Sequence, residues 1–299
     1  MIYTITFNPA VDYVVHADKI NKGSVNRAVR EEIYFGGKGI NVSLVLAELE
    51  IPSIALGFAA GFTGNAIEKG ISSDNITSDF VHLDSGFSRI NVKIKSDTET
   101  ELNGCGPEIP QEKIEEFFKK LDKIRDGDMI VLAGSVPPSL PSDIYEKILD
   151  RIGIRKVKVV IDAAKDLMLN VLKYKPFLVK PNNYELEEMF GIKLKSTDDI
   201  VKYAYELKKM GAMNVLVSMA ADGSILLDEN GKTHIFGACR GDVKNSVGAG
   251  DSMVAGFIAG CESGDFEYAL KLGTAAGGAT AFSDGLAKNK DIFRLLNQL

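Results

Sequence analysis

The stretch MIVLA, Met129–Ala133, is the first of four short apolar segments that decide the fold. The other three are residues 157–161 (VKVVI), residues 177–179 (FLV) and Asn214–Ser218 (NVLVS). Segments of helix length that are rich in charged residues separate them. Continuous apolar strands alternating with amphipathic helices are typical of a parallel sheet covered on both faces. The pattern therefore predicts an α/β domain.

The first third of the chain has a different pattern. Residues 88–96 (SRINVKIKS) alternate strictly between polar and apolar positions, which predicts a strand with one buried face, and residues 99–103 are its expected hairpin partner. We expect a small β excursion built from about residues 12–35 and 87–104. No linker separates it from the rest, so residues 1–299 form a single domain. Residues 57–64 are predicted to be a glycine-rich turn.

Length, composition and charge exclude several classes of protein. The 299 residues are 45% hydrophobic and 25% charged, and the formal net charge is −6. A mildly acidic chain has no general attraction for nucleic acid or for an anionic membrane, so local positive groups must bind any anionic ligand. The three cysteines form no disulfide or metal pattern, which indicates reduced thiols in a cytoplasmic protein. We expect neither a signal peptide nor a membrane span.

The strongest chemical motif is NSVGAGDS at residues 245–252, which precedes a helix of small residues. Its glycines let backbone amides approach an anion, and the start of the helix presents unpaired N–H groups. Asp251 in such a turn is suited to remove a proton from a hydroxyl. The alternative is a tight turn in which the aspartate caps the helix. The motif is not a P-loop, because no Lys-Ser or Lys-Thr pair follows its last glycine.

A second glycine-rich motif, GGKGIN, occupies residues 36–41. Lys38 stands at a predicted helix start, where it would meet an anion such as a sugar phosphate, and Asn41 lies on the first helical turn. The alternative is an ordinary strand-to-helix turn with a solvated lysine.

Three further segments are candidates for binding. Asn182 and Glu185 follow a strand, where they would support Mg²⁺ through water or form a helix-capping pair. Residues 218–223 (SMAADG) would bind nucleotide phosphates or form a hairpin turn. Arg89, Asn91 and Lys93 share one face of the alternating strand, which suits a phosphorylated sugar or a merely solvated surface.

Together these motifs resemble the ribokinase-like carbohydrate kinases of the PfkB type. The resemblance runs from residues 8–12 (NPAVD) to residues 282–286 (FSDGL), and residues 36–41 and 245–252 match its two signatures. It implies a three-layer α/β/α sandwich with a mostly parallel sheet, in which the β excursion is a lid over the sugar. It also implies a kinase that uses ATP and Mg²⁺ and forms a homodimer through the lid.

The resemblance also assigns roles to residues. Asp251 is the implied general base, and Gly248, Ala249 and Gly250 form the implied anion hole. The implied sugar-phosphate residues are Asp12, Gly37, Lys38, Asn41, Arg89, Asn91 and Asp251. The implied ATP residues are Asn182, Ser218, Ala220, Gly223, Ser246, Gly248, Gly250, Gly278 and Ser283, and Glu185 is implied to contact the metal through water.

Within the family, residues 89–95 and 99–104 resemble the branch that phosphorylates the 6-hydroxyl of fructose 1-phosphate, giving fructose 1,6-bisphosphate and ADP. Tagatose-6-phosphate kinase and other hexose-phosphate kinases share the lysine-bearing turn and stay open as alternatives. A sugar-phosphate-binding regulator without catalysis is a further alternative, which the intact Asp251 disfavours. A nicotinamide-dependent dehydrogenase is disfavoured because no G-x-G-x-x-G motif follows the first strand.

The sequence departs from the family pattern in two places. Ala220 stands where the nucleotide loop usually has glycine, which restricts the loop without abolishing binding. Residues 162–165 (DAAK) replace the usual run of Asp followed by hydroxyl or glycine residues, which puts a peripheral hydroxyl contact in doubt.

Overall fold

The computed structural model describes residues 1–299. The strands are β1 (Ile2–Thr6), β2 (Ala10–His16), β3 (Arg30–Gly36), β4 (Ser53–Ala60), β5 (Ile76–Ser78), β6 (Val81–Leu83), β7 (Arg89–Lys95), β8 (Thr100–Asn103), β9 (Met129–Ala133), β10 (Lys158–Asp162), β11 (Leu178–Val179), β12 (Asn214–Ser218), β13 (Ser224–Leu227) and β14 (Thr233–Phe236). The helices are α1 (Lys38–Glu48), α2 (Gly61–Ile71), α3 (Gln111–Leu121), α4 (Ile144–Ile152), α5 (Lys165–Val171), α6 (Asn183–Phe190), α7 (Thr197–Met210), α8 (Ala249–Gly260), α9 (Phe266–Ala281) and α10 (Asn289–Leu296).

The main sheet has ten strands. Nine of them lie in the order β14-β13-β12-β11-β10-β9-β1-β4-β5, and β6 pairs with the far end of β4. All of these pairs are parallel except β12–β13 and β13–β14. The predicted α/β class and mostly parallel sheet are therefore confirmed. The carboxyl ends of β1, β9, β10, β11 and β12 lie along one edge, which is where open α/β sheets bind ligands.

Alternating side chains of the sheet enter two separate hydrophobic cores. On β9, Ile130 and Leu132 belong to a core that α3 to α7 cover, whereas Val131 and Ala133 belong to a core that α1, α8, α9 and α10 cover. Helices on both faces remove the apolar strands from water, which explains why the strands read as continuous hydrophobic runs. The result is a three-layer sandwich. None of its helices has the length and apolar composition that a membrane span requires.

A second sheet of four strands, in the order β3-β2-β7-β8, comes from the early part of the chain. Its β2 and β7 are parallel, and the hairpins β2–β3 and β7–β8 are antiparallel. Asp12 lies opposite Asn91 in this sheet. Because side chains alternate along a strand, the two residues project from the same face.

The prediction of a glycine-rich turn at residues 57–64 is wrong. Strand β4 continues to Ala60, and helix α2 begins at Gly61. Gly57 lies inside the strand, and only glycine fits there because a β-carbon would stand 1.9 Å from the backbone oxygen of Thr6 on β1. This glycine marks a close approach of two backbones instead of a turn.

Candidate active site

The NSVGAGDS turn, residues 245–252, leads directly into helix α8. Gly248 precedes the helix with φ of 80°, a left-handed conformation that favours glycine. The first helical hydrogen bond runs from the Ser252 amide to the Gly248 carbonyl at 2.9 Å. The amides of Gly250 and Asp251 therefore precede the helical ladder and make no backbone hydrogen bond. This helix start can accept an anion.

Asp251 lies in the first turn of α8 and is 5% exposed. Its carboxylate accepts a hydrogen bond of 2.8 Å from the Asn41 side-chain amide. Burial, followed by the negative charge of Asp162, raises the pKa of Asp251 to about 7, against the opposing effects of Lys38, Asn41 and Lys180. A carboxyl group with a pKa near neutrality can accept a proton from a substrate hydroxyl.

Asp162 ends strand β10 and pairs with two lysines. One of its oxygens lies 3.3 Å from the Nζ of Lys38 and 3.3 Å from the Nζ of Lys180. Burial opposes ionisation of Asp162, but the two ammonium groups outweigh it and hold the pKa of this carboxyl below its ordinary value. Burial also acts against the charge of Lys38, yet Asp162 and Asp251 raise its pKa overall. Lys38 is therefore held as a cation beside the turn at residues 245–252.

Lys180 is aimed at the start of helix α8. A β-carbon built on Gly250 would stand 3.1 Å from the Lys180 Nζ, so the ammonium occupies the space beside that glycine. The Lys180 side chain is 5% exposed and follows strand β11. A cation and unpaired amides thus meet at the same point of the site.

The GGKGIN turn brings Lys38 and Asn41 to this cluster. A β-carbon on Gly37 would stand 2.5 Å from the Thr6 side chain, so only glycine lets the turn pack this closely against strand β1. Helix α1 begins immediately afterwards, at Lys38. The tight packing fixes the start of α1 at the same sheet edge as Asp162.

The second sheet contributes a polar face to the site. Asp12 accepts a hydrogen bond of 2.7 Å from Asn91 and pairs with the Nζ of Lys93 at 3.4 Å. The Nε of Arg89 donates to the Asn8 carbonyl at 3.1 Å, and burial lowers the pKa of Arg89. These charged groups are held by their neighbours, which suits recognition of a polar, anionic ligand.

The segment after β12 forms a short 3₁₀ turn, residues 220–222, and then the antiparallel strand β13. The predicted hairpin is present here. Ala220 has φ of 49°, a left-handed value that is uncommon for any residue with a β-carbon. A left-handed backbone of this kind favours glycine, which is the residue that the family resemblance implies here.

Asn182 and Glu185 form a complete capping box at the start of α6. Asn182 Oδ1 accepts from the Glu185 amide, and Glu185 Oε2 accepts from the Asn182 amide, both at 2.8 Å. The helix-capping pair, which was the alternative to a magnesium-binding role, is therefore present. The second carboxylate oxygen of Glu185 makes no protein hydrogen bond, so a further contact is compatible with the cap.

One cavity of about 850 Å³ connects these features. Its wall contains every proposed site residue except one: Asp12, Gly37, Lys38, Asn41, Arg89, Asn91, Asn182, Glu185, Ser218, Ala220, Gly223, Ser246, Gly248, Ala249, Gly250, Asp251 and Gly278. Ser283 is not in the wall, because its hydroxyl donates back to the Ala279 carbonyl at 2.7 Å. A neighbouring cavity of about 330 Å³ includes Asn8, Arg89, Lys38 and Ser135 in its wall.

The sequence interpretation missed Asp162, Lys180 and Ser135 as site residues. Each lies at or just beyond the carboxyl end of a parallel strand, which is the usual position of ligand-binding residues in such sheets. For Asp162 and Lys180 the sequence predicted the strands but not that β10 and β11 are neighbours. Lys93 belonged to the predicted polar strand face, and its pairing with Asp12 could not be seen without the register of β2 and β7.

The chain is similar to known proteins over its full length. The chain is 43% identical to a 1-phosphofructokinase of Bacillus subtilis over 300 residues, covering all of this chain and 98% of the relative. It is 36% identical to a D-tagatose-1-phosphate kinase of Bacillus licheniformis over 301 residues, covering all of this chain and 98% of the relative. A Staphylococcus aureus structure provisionally called a phosphofructokinase superimposes with a TM-score of 0.89 at 42% identity, covering 100% of this chain and 97% of that one.

The family model described as pfkB family carbohydrate kinase matches residues 5–292. That range includes the second sheet, nearly all of the main sheet, the NSVGAGDS turn and the lysine-bearing turn. The protein therefore belongs to the pfkB family of carbohydrate kinases.

Proposed function

We propose that this kinase transfers the γ-phosphoryl group of ATP to the 6-hydroxyl of fructose 1-phosphate, giving fructose 1,6-bisphosphate and ADP. One observation carries the chemistry: a buried carboxyl group, Asp251, with a pKa near 7 beside helix-start amides that have no backbone partner. The 1-phosphofructokinase relative that matches over the whole chain supports the choice of sugar.

In this proposal Asp251 acts as the general base. Its carboxylate takes the proton of the 6-hydroxyl as the sugar oxygen forms a bond to the γ-phosphorus, and the bond from that phosphorus to the bridging oxygen of ADP breaks. Negative charge on the transferring group is stabilised by the amides of Gly250 and Asp251 and by the Lys180 ammonium beside them. Asn41 holds the carboxylate in place through its 2.8 Å hydrogen bond.

The phosphate of the sugar needs local cations, because the chain as a whole has a net charge of −6. Lys38 and Arg89 border both the main cavity and the smaller one next to it, and Lys93 lies in the wall of the main cavity. Asp12 and Asn91 face the same space with acceptor and amide groups suited to sugar hydroxyls. We infer that the second sheet, β3-β2-β7-β8, is the lid over the sugar.

ATP is expected to enter as its magnesium complex. No three acidic, histidine or cysteine side chains converge to form a metal site of their own. Mg²⁺ takes most of its ligands from phosphates and water when it binds with a nucleotide. The one carboxylate oxygen of Glu185 that is left free by the helix cap is therefore a donor that fits this ion. Glu185, through its free oxygen, would hold the hydrated ion, and Asn182, Ser218, Ala220, Gly223, Ser246 and Gly278 would line the nucleotide. The bound ion would neutralise charge on the phosphates.

A second candidate is tagatose 1-phosphate as the acceptor. The specific observation in its favour is the D-tagatose-1-phosphate kinase relative, which is 36% identical over the full chain. Tagatose differs from fructose only in configuration at C4, and the reacting 6-hydroxyl is the same. The two sugars would share every catalytic residue and differ at the polar face of the lid.

A coupled assay of ADP release tests the proposal. Fructose 1-phosphate, tagatose 1-phosphate, fructose 6-phosphate and tagatose 6-phosphate are compared at equal concentrations, and we expect the highest kcat/KM with fructose 1-phosphate. Asp251→Asn should lower kcat by about 10²–10⁴-fold while sugar binding persists, and the exposed Asp74→Asn should leave both unchanged. Binding of a sugar phosphate without ADP release by the wild type would instead indicate a regulator.

We also infer a homodimer formed through the lid. The face of the lid sheet that points away from Asp12 carries apolar side chains, and two of them, Ile33 and Leu102, are 59% and 71% exposed. A row of exposed apolar groups on a sheet is typical of an association surface. Light scattering should give twice the mass of the chain, and Leu102→Glu should shift the protein toward a monomer. A wild-type monomer at micromolar concentration would refute the dimer.

A further inference from the structure

Two buried hydroxyl groups, those of Thr280 and Ser252, form a hydrogen-bonded chain that ends at the NSVGAGDS turn. The Ala287 amide donates to Thr280 Oγ1 at 2.8 Å, Thr280 Oγ1 lies 2.6 Å from Ser252 Oγ, and Ser252 Oγ donates to the Gly248 carbonyl at 2.9 Å. Thr280 and Ser252 have no exposed surface. Neither residue lies in the wall of the two cavities.

The direction of this chain is fixed by counting protons. A hydroxyl has one proton to donate, and that of Ser252 goes to the Gly248 carbonyl, which can only accept. The Thr280 hydroxyl must therefore donate to Ser252, while it accepts from the Ala287 amide. Each of the two hydroxyls gives one hydrogen bond and receives one, an arrangement in which neighbouring bonds strengthen each other.

The end of the chain sets the orientation of the peptide group that precedes the anion-binding amides. The Gly248 carbonyl and the Ala249 amide belong to the same planar peptide, so fixing one fixes the other. The carbonyl points along helix α8 toward Ser252, and the Ala249 amide on the other side of this peptide donates to the Ser246 carbonyl at 3.2 Å. The next two amides, those of Gly250 and Asp251, make no backbone hydrogen bond, and both residues line the main cavity. Leu286, next to Ala287, also packs against Gly248, where a β-carbon would stand 2.6 Å from its Cδ2.

We propose that Thr280 is a positioning residue for phosphoryl transfer, acting through Ser252 on the Gly248–Ala249 peptide, which directly precedes the unpaired amides of Gly250 and Asp251. The inference rests on the proposed function, because the peptide matters only if the turn stabilises a transferring phosphoryl group. Thr280 touches neither substrate, so its loss changes the alignment of the anion hole and leaves the binding surfaces intact. The effect belongs in kcat and not in KM.

The test replaces Thr280 by valine, which has the same shape but no hydroxyl. We expect kcat to fall about 10- to 100-fold, less than for complete loss of an oxyanion donor, with both KM values within about twofold of the wild type. Thr280→Ser keeps the hydroxyl and should restore kcat to within about threefold. Ser252→Ala cuts the chain at its next member and should reproduce the loss, so the test stands even if the valine variant does not fold.

Thr4→Val is the matched control. Thr4 is also fully buried and its hydroxyl lies 2.7 Å from Ser43 Oγ, but it lines neither cavity. It should lower the melting temperature as Thr280→Val does and keep the wild-type kcat. Equal kcat for the Thr4 and Thr280 variants, a wild-type kcat for Ser252→Ala, or no rescue by Thr280→Ser would overturn the inference. A wild type without ADP release from any sugar phosphate would instead overturn the proposed function and the inference with it.

Discussion

Replacing Asp251 by asparagine should make the protein inactive and, at alkaline pH, more stable. The native pKa of Asp251 is about 7, against an ordinary value of 3.8. The difference of about three pH units corresponds to about 4 kcal/mol of unfolding free energy, at about 1.4 kcal/mol per unit. Asparagine has the same shape as the acid but carries no charge, so burying it does not cost the desolvation of a charge.

The sign of the effect follows from proton binding. Below pH 4 both the folded and the unfolded states hold the Asp251 proton, so its shifted pKa costs nothing. As the pH rises from about 4 to about 7, the unfolded chain releases the proton while the folded chain retains it, and the folded state loses relative stability. Above pH 7 both states are ionised and the penalty of about 4 kcal/mol is complete.

Urea unfolding between pH 5 and pH 8 measures this difference. The free energy of unfolding of Asp251→Asn minus that of the wild type should be below about 2 kcal/mol at pH 5 and reach about 4 kcal/mol at pH 8. The exposed Asp74→Asn serves as the control and should show no such increase. A difference that stays constant over this range would refute the claim that burial and Asp162 raise the pKa of the catalytic carboxyl.

Three further changes probe neighbouring groups. Lys38→Ala should raise the KM for the sugar phosphate by about 10-fold or more through loss of a charge-assisted contact and change the KM for ATP less than about twofold; equal effects would assign Lys38 to the nucleotide. Ala220→Gly relieves the strain of the left-handed φ of 49°, so its free energy of unfolding in urea should exceed that of Ala221→Gly by at least about 1 kcal/mol. Identical free energies of unfolding would mean that the turn is unstrained. Asp162→Asn removes a charge that raises the pKa of Asp251, so the acidic limb of the kcat/KM pH profile, expected near pH 7, should move to lower pH; an unmoved limb would leave burial as the whole cause.

The fold was predictable where pattern and length agreed. The apolar runs at Met129–Ala133 and Asn214–Ser218 became β9 and β12 because strands buried on both faces have no polar alternation. The prediction of a turn at residues 57–64 was wrong because the sequence does not show whether a glycine bends the chain or lies against another backbone. Gly57 does the second, and its partner, Thr6, is 51 positions away.

The candidate site was predictable only where a local motif announced it. The turns containing Lys38 and Asp251 carry glycines at short spacing, and the structure brings them to one cavity. Asp162 and Lys180 carry no local motif, since their roles depend on β10 and β11 being adjacent and parallel. Ser283 shows the reverse case: the family resemblance implied a nucleotide contact, but Ser283 is not in the cavity wall and its hydroxyl donates to the Ala279 carbonyl.

Asp162 explains how one small space can hold two lysines and still keep Asp251 as a base. If only Lys38 and Lys180 faced Asp251, their positive charges would favour its ionised form and lower its pKa, and a weaker base would result. Asp162 pairs with both ammonium groups at 3.3 Å, so it neutralises part of their charge and adds its own negative charge nearby. Lys38 stays charged and available to phosphate, while the Asp251 carboxyl keeps a pKa of about 7. Removing Asp162 should therefore weaken the base even though no bond to Asp251 is lost.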